Sequence, residues 1–245
     1  MTKLIFWDVD TLYDFMKSDG KLYVPGSEEI IPAVKRLTDF AHAHRIPIIA
    51  SADNHEMSDA EISASPDWKT TFPPHCMRGT PGQRKIAETE LKNPLVIEPQ
   101  LQDPGALALR ILPHRGDILL HKRALDVFTN PNVPAVLGAL EPEAVVIYGV
   151  ATDFCDRYTV EGLLRSLPQA VLYLVTDAIR AIYPEEGERL IASWRHRGVN
   201  MVTVNQIVEE NVFVIHRTAP MSGRSILGDS ESVAGQRTAR RPNKP

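Results

Sequence analysis

Cys155 is one of only two cysteines in the 245-residue chain, and its setting suits a nucleophile. It follows Val146-Ile147-Tyr148-Gly149-Val150-Ala151-Thr152-Asp153-Phe154. Val145 to Val150 is short, β-branched and uninterrupted by charge, which reads as a fully buried strand. A helix is expected from about Asp153 to Ser166, with Thr152 or Asp153 as its cap. Cys155 would then lie in the first turn, where unpaired N–H groups and the positive end of the helix dipole stabilise a thiolate. The other reading of this stretch alone is a small buried apolar residue, the usual state of a free cysteine.

Three further strand ends carry polar groups. Leu4 to Val9 reads as a strand that ends in Asp8 and Asp10, and Ile46 to Ala50 as one followed by Asp53 and His55. Asp117 to His121 reads as a strand with Lys122 at its end. Open parallel sheets bind ligands outside the carboxyl ends of their strands, so these groups can converge from distant parts of the chain. Asp, Lys and Cys together make chemical sense. A carboxylate takes the thiol proton, an ammonium holds the thiolate, and the sulfur attacks an acyl carbon. Backbone N–H groups at the Val150–Ala151 turn and at Cys155 are placed to receive the oxyanion. The reaction class is acyl transfer to water through a thioester.

The elements that must position these groups alternate. Ser27 can cap a helix with Ile30, Ile31, Val34, Leu37 and Phe40 at helical spacing, closed by Arg45 and Pro47. Leu95 to Glu98 is a short strand, and Pro99 to Pro113 yields no assignment. Val133 to Leu140 is a helix, Val171 to Val175 a strand, and Glu185 to His196 a helix ended by Gly198. Met201 to Val204 and Gln206 to Glu210 give a last strand and turn of helix. Such alternation implies an α/β fold: three αβα layers around a doubly wound, mostly parallel sheet. Residues 1–216 form one domain in this reading. From about Arg217 to Pro245 Ser, Gly, Arg and Pro dominate, which reads as a disordered tail.

Bulk properties narrow the function. A net charge of -4 gives no nucleic-acid footprint, and no apolar run is long enough to span a membrane. The first residues run straight into charge without a signal-peptide layout, and two cysteines make no disulfide framework. A cytoplasmic protein is expected, acting on a small molecule and associating as a homo-oligomer.

Four stretches carry a resemblance to a known family. Gly149-Val150-Ala151-Thr152-Asp153-Phe154-Cys155 resembles the cysteine motif of the isochorismatase-like cysteine hydrolases. Phe72-Pro73-Pro74-His75-Cys76-Met77-Arg78-Gly79-Thr80-Pro81-Gly82 is similar to the WPxHCxxGTxG loop of their nicotinamidase branch. Asp10-Thr11-Leu12-Tyr13-Asp14-Phe15 resembles the first motif, DxQxDF, with Leu12 at the Gln position, and Lys122 with Asp126-Val127-Phe128 resembles the lysine motif. The resemblance spans about residues 3 to 206. It implies a catalytic triad of Asp10, Lys122 and Cys155, a cis peptide between Val150 and Ala151 beside the oxyanion, and a substrate pocket that includes Phe15 and Phe72. It also implies a divalent metal (Zn, Fe or Mn) on Asp53, His55, Glu61 and His75, with Glu61 where the branch has a third His. Nicotinamide is the implied substrate, hydrolysed to nicotinate and ammonia. Cys76 and the other histidines take no chemical role.

Three alternatives stand beside this one. An amidohydrolase of the same family could act on another amide or carbamoyl group. Loss of activity within the same fold is a second, motivated by Leu12 and Glu61. The third is a haloacid-dehalogenase-type phosphatase, in which Asp8 is the nucleophile, Asp10 the acid/base, and Ser51 and Lys122 touch phosphate. Its late acidic motif would have to be Gly228-Asp229-Ser230 in the tail.

Overall fold

The computed structural model describes residues 3–210 and 212–213. The expected tail from Arg217 and Gly228-Asp229-Ser230 lie outside the described residues. Seven strands form one parallel sheet: β1 (Leu4–Val9), β2 (Ile48–Asp53), β3 (Leu95–Ile97), β4 (Ile118–Lys122), β5 (Ala144–Val150), β6 (Val171–Arg180) and β7 (Asn200–Val202). Their spatial order is β3-β4-β2-β1-β5-β6-β7, so the chain winds to one side of β1 and then, with β5, to the other. The switch point falls between β1 and β5, which is where a doubly wound sheet opens a crevice.

Every residue of β2 and β5 is buried, as expected of central strands covered on both faces. Ile5, Trp7 and Val9 of β1 face a core shared with the helices α3 (Pro104–Ile111), α4 (Val133–Leu140), α5 (Cys155–Ser166) and α6 (Pro184–His196). Phe6 points to the opposite layer, where it stacks on Phe40 of α2 (Ile31–Ala43) with ring centroids 6.1 Å apart. Trp7 stacks on Phe128 at 6.4 Å. Phe128 in turn lies flat on α5 because Gly162 has no side chain there; a Cβ would sit 2.0 Å from the ring. Two short helices, α1 (Tyr13–Met16) and α7 (Val204–Val208), complete the fold. No helix among the described residues is long and apolar enough to cross a membrane.

Several boundaries differ from expectation. β2 runs to Asp53 and not to Ala50, because Ser51 pairs with both β1 and β4, and Ala52 and Asp53 keep their ladder with β4 despite low β propensity. β4 likewise includes Lys122, which pairs directly with Asp53. β6 continues to Arg180, past an irregularity where the register with β5 jumps from Ile147↔Leu174 to Gly149↔Ile179. The unassigned stretch contains α3, whose signal is Asp103-Pro104: the Asp103 side chain accepts the Ala106 amide at 2.7 Å.

Two glycines test this packing. Gly149 has φ +132° and a Cβ there would meet the Val9 carbonyl oxygen at 2.0 Å, whereas a Cβ at Gly138 in α4 meets nothing within 4 Å. Gly149→Ala is expected to cost about 1–3 kcal/mol by overpacking the β1–β5 contact. Gly138→Ala should instead gain up to about 1 kcal/mol from helix propensity. Thermal unfolding of both variants checks the pair; equal midpoints would contradict the packing described.

Candidate active site

Four neighbouring strands, β4, β2, β1 and β5, deliver Lys122, Asp53, Asp10 and Cys155 to one edge of the sheet. Lys122 is 1% exposed, and burying an ammonium is costly unless charges meet it. Here its Nζ lies 3.0 Å from Asp10 Oδ2 and 3.6 Å from Cys155 Sγ, and pairs most closely with Asp53 Oδ1. Burial works against the charged form, but Asp10 and Asp53 outweigh it and hold the Lys122 pKa well above its ordinary value. Asp53 mirrors this: burial opposes the carboxylate, and Lys122 with the two histidines pulls its pKa well down. The two carboxylates and Sγ lie within 4.8 Å of one another.

Asp10 reaches this place by a backbone device. Alternation along β1 would send Asp8 and Asp10 to the same face. Asp10 instead has φ +47°, a left-handed conformation that Asp tolerates better than most residues. Asp8 turns away, accepting from Thr11 Oγ1 at 2.9 Å and pairing with Lys85 at 2.9 Å. The phosphatase alternative is therefore corrected: Asp8 is enclosed, and Lys122 is bound by Asp10 and Asp53 and not available beside Asp8. Ser51 Oγ is buried without a partner.

Cys155 opens α5, yet neither predicted cap acts. Phe154 is the cap residue, with no side-chain hydrogen bond. Asp153 turns to the β6–α6 connection, where its carboxylate accepts the Ile182 and Tyr183 amides at 2.9 and 2.7 Å. Burial pushes the Cys155 thiol well up, Lys122 opposes this, and Asp10 and Asp53 reinforce it. The Val150–Ala151 peptide is cis. The Ala151 carbonyl accepts the Phe154 and Asp156 amides at 3.0 Å each, and the Thr152 amide goes to the Arg180 carbonyl. The Ala151 and Cys155 amides have no such partner among the described residues.

A second cluster adjoins the first. One ligand atom each from Asp53, His55, Glu61 and His75 lies within 4.8 Å of the others, and all four residues are buried. His75 Nε2 is 3.7 Å from Asp53 Oδ2 and 3.8 Å from Glu61 Oε1, and His55 Nε2 is 3.8 Å from the same Glu61 oxygen. Asp53 Oδ2, His55 Nε2 and Glu61 Oε1 have no hydrogen-bond partner among the described residues. The outer ring nitrogens do: His75 Nδ1 is 2.8 Å from the Pro73 carbonyl and His55 Nδ1 is 3.1 Å from Asp59 Oδ2. Burial, and then the Asp53 charge, push the Glu61 carboxyl up. Inward lone pairs on two imidazoles and two carboxylates, with outward N–H groups anchored, make a donor set that fits a divalent cation.

Backbone pairing of loops builds this cluster. His55 and Met77 form a bridge, with the Arg78 amide on the His55 carbonyl, and Ile62 and Phe72 form another, with the Phe72 amide on the Glu61 carbonyl. Asp14 clamps the histidine loop by accepting the Cys76 amide at 2.7 Å. Gly82 permits that approach, since a Cβ would lie 2.1 Å from Asp14 Oδ2. Asp14, Asp59 and Asp153 were missed as positioning groups, because each works through backbone or a neighbour and no spacing rule marks it.

Both clusters open into one cleft, walled by Phe15, Phe72, Leu125, Phe154 and Ile182. Phe15 lies 5.5 Å from the His75 ring, and Phe72 meets Phe154 edge-on at 5.7 Å. Asp53, Glu61, His75 and Cys155 form its polar end, beside Val150 and Ala151.

Comparison with known proteins agrees with this architecture. The chain is 27% identical over 177 residues to a nicotinamidase/pyrazinamidase from Mycobacterium tuberculosis, covering 71% of this chain and 86% of that one. It is 24% identical over 204 residues to a "probable inactive nicotinamidase" from Arabidopsis thaliana, covering 82% and 93%. The crystal structure of pyrazinamidase of Pyrococcus horikoshii in complex with zinc superposes with a TM-score of 0.65 at 24% identity, over 82% of this chain and 99% of that one. Residues 2–206 match the Isochorismatase domain, and the chain belongs to that family.

Proposed function

We propose that the protein hydrolyses a small amide through a Cys155 thioester, with nicotinamide the substrate that fits best. The supporting observation is the meeting at Lys122 Nζ of Asp10 Oδ2 at 3.0 Å and Cys155 Sγ at 3.6 Å, at the head of an apolar cleft. In this reading Asp10 takes the thiol proton as sulfur attacks the amide carbon. The Ala151 and Cys155 amides receive the oxyanion. Asp10 returns the proton to the departing nitrogen, which leaves as ammonia. It then takes a proton from water as that water attacks the thioester, releasing the acid and restoring the thiol. Lys122 stabilises the sulfur as its charge develops, which matters most because burial disfavours the free thiolate.

Asp53, His55, Glu61 and His75 are the residues that would hold a divalent metal. A metal there supplies a Lewis-acid anchor for a ring nitrogen or carbonyl group of the substrate. The cleft wall favours a neutral, flat substrate. It presents aromatic and aliphatic side chains, and Lys122 behind it is already paired with two carboxylates. A carbamoyl compound bearing its own carboxylate would find no free cation among the lining residues. The relatives named nicotinamidase/pyrazinamidase support the same choice. The inactive relative supports a second reading, fold without turnover, which the same assay decides.

Ammonia release from nicotinamide, pyrazinamide and simple carbamoyl compounds is the direct test. Cys155→Ala is expected to lose turnover by on the order of 10³-fold or more, since little but binding and the oxyanion donors would remain. Its unfolding midpoint should stay close to that of the parent. Turnover surviving in that variant would refute the thioester route, and absence of ammonia from the parent on every amide would favour the inactive reading. Elemental analysis should find stoichiometric Zn, Fe or Mn in the parent and not in His75→Ala. Full occupancy in the variant would place the metal elsewhere.

A further inference from the structure

Asp59 belongs to neither cluster, yet its side chain is only 6% exposed. Its Oδ2 lies 3.1 Å from His55 Nδ1 and accepts the Glu56 amide at 3.0 Å, and its Oδ1 pairs with Arg123 Nη2. The same Arg123 nitrogen holds Glu56 at 2.9 Å, and Glu56 also pairs with Arg78 at 2.8 Å. Asp59 is thus fixed by its own loop on one side and by the end of β4 on the other. Arg123 follows Lys122 directly. One strand end therefore supplies both the ammonium that holds Asp53 and the guanidinium that holds Asp59.

An ion-paired carboxylate can only accept, so the proton between Asp59 and His55 sits on Nδ1. In the neutral ring, the form that binds a metal, the other nitrogen then presents the lone pair. That atom, Nε2, is the buried one without a partner, 3.7 Å from Asp53 Oδ1 and 3.8 Å from Glu61 Oε1. His75 is held differently, by the neutral Pro73 carbonyl at 2.8 Å. The two imidazoles are unequal, and the one backed by a carboxylate is the stronger donor.

We propose that Asp59 is the positioning residue of His55, fixing its tautomer and ring so that Nε2 faces Asp53, Glu61 and His75 as the stronger nitrogen donor to a divalent cation. This rests on the reading of those four residues as a metal site. The test titrates Zn²⁺ into the full chain against a chromophoric chelator, for the parent, Asp59→Asn, Asp59→Ala and His75→Ala. Imidazole nitrogen shifts of the metal-free proteins accompany it. Asp59→Ala should bind zinc about 10–100-fold more weakly, as removal of an outer hydrogen-bond partner does. Asp59→Asn should fall between, because its amide oxygen still accepts but carries no charge. His55 in the metal-free parent should show the Nδ1–H form. Parent-like zinc affinity in a folded Asp59 variant, while His75→Ala loses zinc, overturns the positioning role alone. A variant that is less stable but binds zinc as tightly overturns it too, since that is a structural role. A parent that binds no stoichiometric zinc overturns the metal reading and this proposal with it. If Asp59→Ala does not fold, Asp59→Asn decides by the same comparison.

Discussion

The buried ammonium of Lys122 is the constraint on which the rest depends. An isolated charge at 1% exposure would be lost to desolvation, so the fold must bring anions to it. It does so from two adjacent strands, β2 and β1, and the sulfur from β5 completes the shell. Asp53 has a second duty. One oxygen answers Lys122, while the other is an unpartnered member of the four-ligand cluster. The two clusters therefore share a carboxylate and cannot be perturbed separately at that residue. Removing Lys122 leaves the buried Asp10 and Asp53 carboxylates without their cation, a larger effect than the loss of a single contact.

Burial also bears on Cys155. The start of α5 offers free amides and a dipole, which taken alone lower a thiol pKa. Sγ also sits beside two carboxylates, and Cys155 is 5% exposed. Desolvation and these anions push the thiol up against the pull of the ammonium. The aim of Asp10 matters for the same reason, and the left-handed φ at that residue separates it from Asp8 two positions earlier.

The sequence was most legible where chemistry and periodicity coincide. The buried run before Cys155, the carboxylates after β1 and the lysine of β4 were each marked by an apolar strand ending in a polar group. It was least legible where tertiary context overrides local preference. Ser51-Ala52-Asp53 has no strand character, yet all three are held in the ladder by β4. Asp153 resembles a helix cap and instead holds the Ile182–Tyr183 turn. The roles of Asp14 and Asp59 depend on partners far along the chain, Cys76 and Arg123, which spacing does not reveal. Motif resemblance found Glu61 and His75 inside a stretch whose composition suggested only an irregular loop.

That stretch shows how labour is divided. Residues 54–80 contain no helix or strand, and so long a connection is unusual inside a compact domain unless it has a function. It is ordered by two single bridges, by the Asp14 clamp and by Asp67, whose carboxylate accepts the Lys69, Thr70 and Thr71 amides. Apart from Asp67 and Asp14, these attachments join backbone to backbone. The strand ends, by contrast, hold Asp10, Asp53, Lys122 and Cys155 together through interdependent charges. The fold thus divides its means: charge pins the groups at the strand ends, and backbone pairing orders the loop that brings Glu61 and His75 up to them.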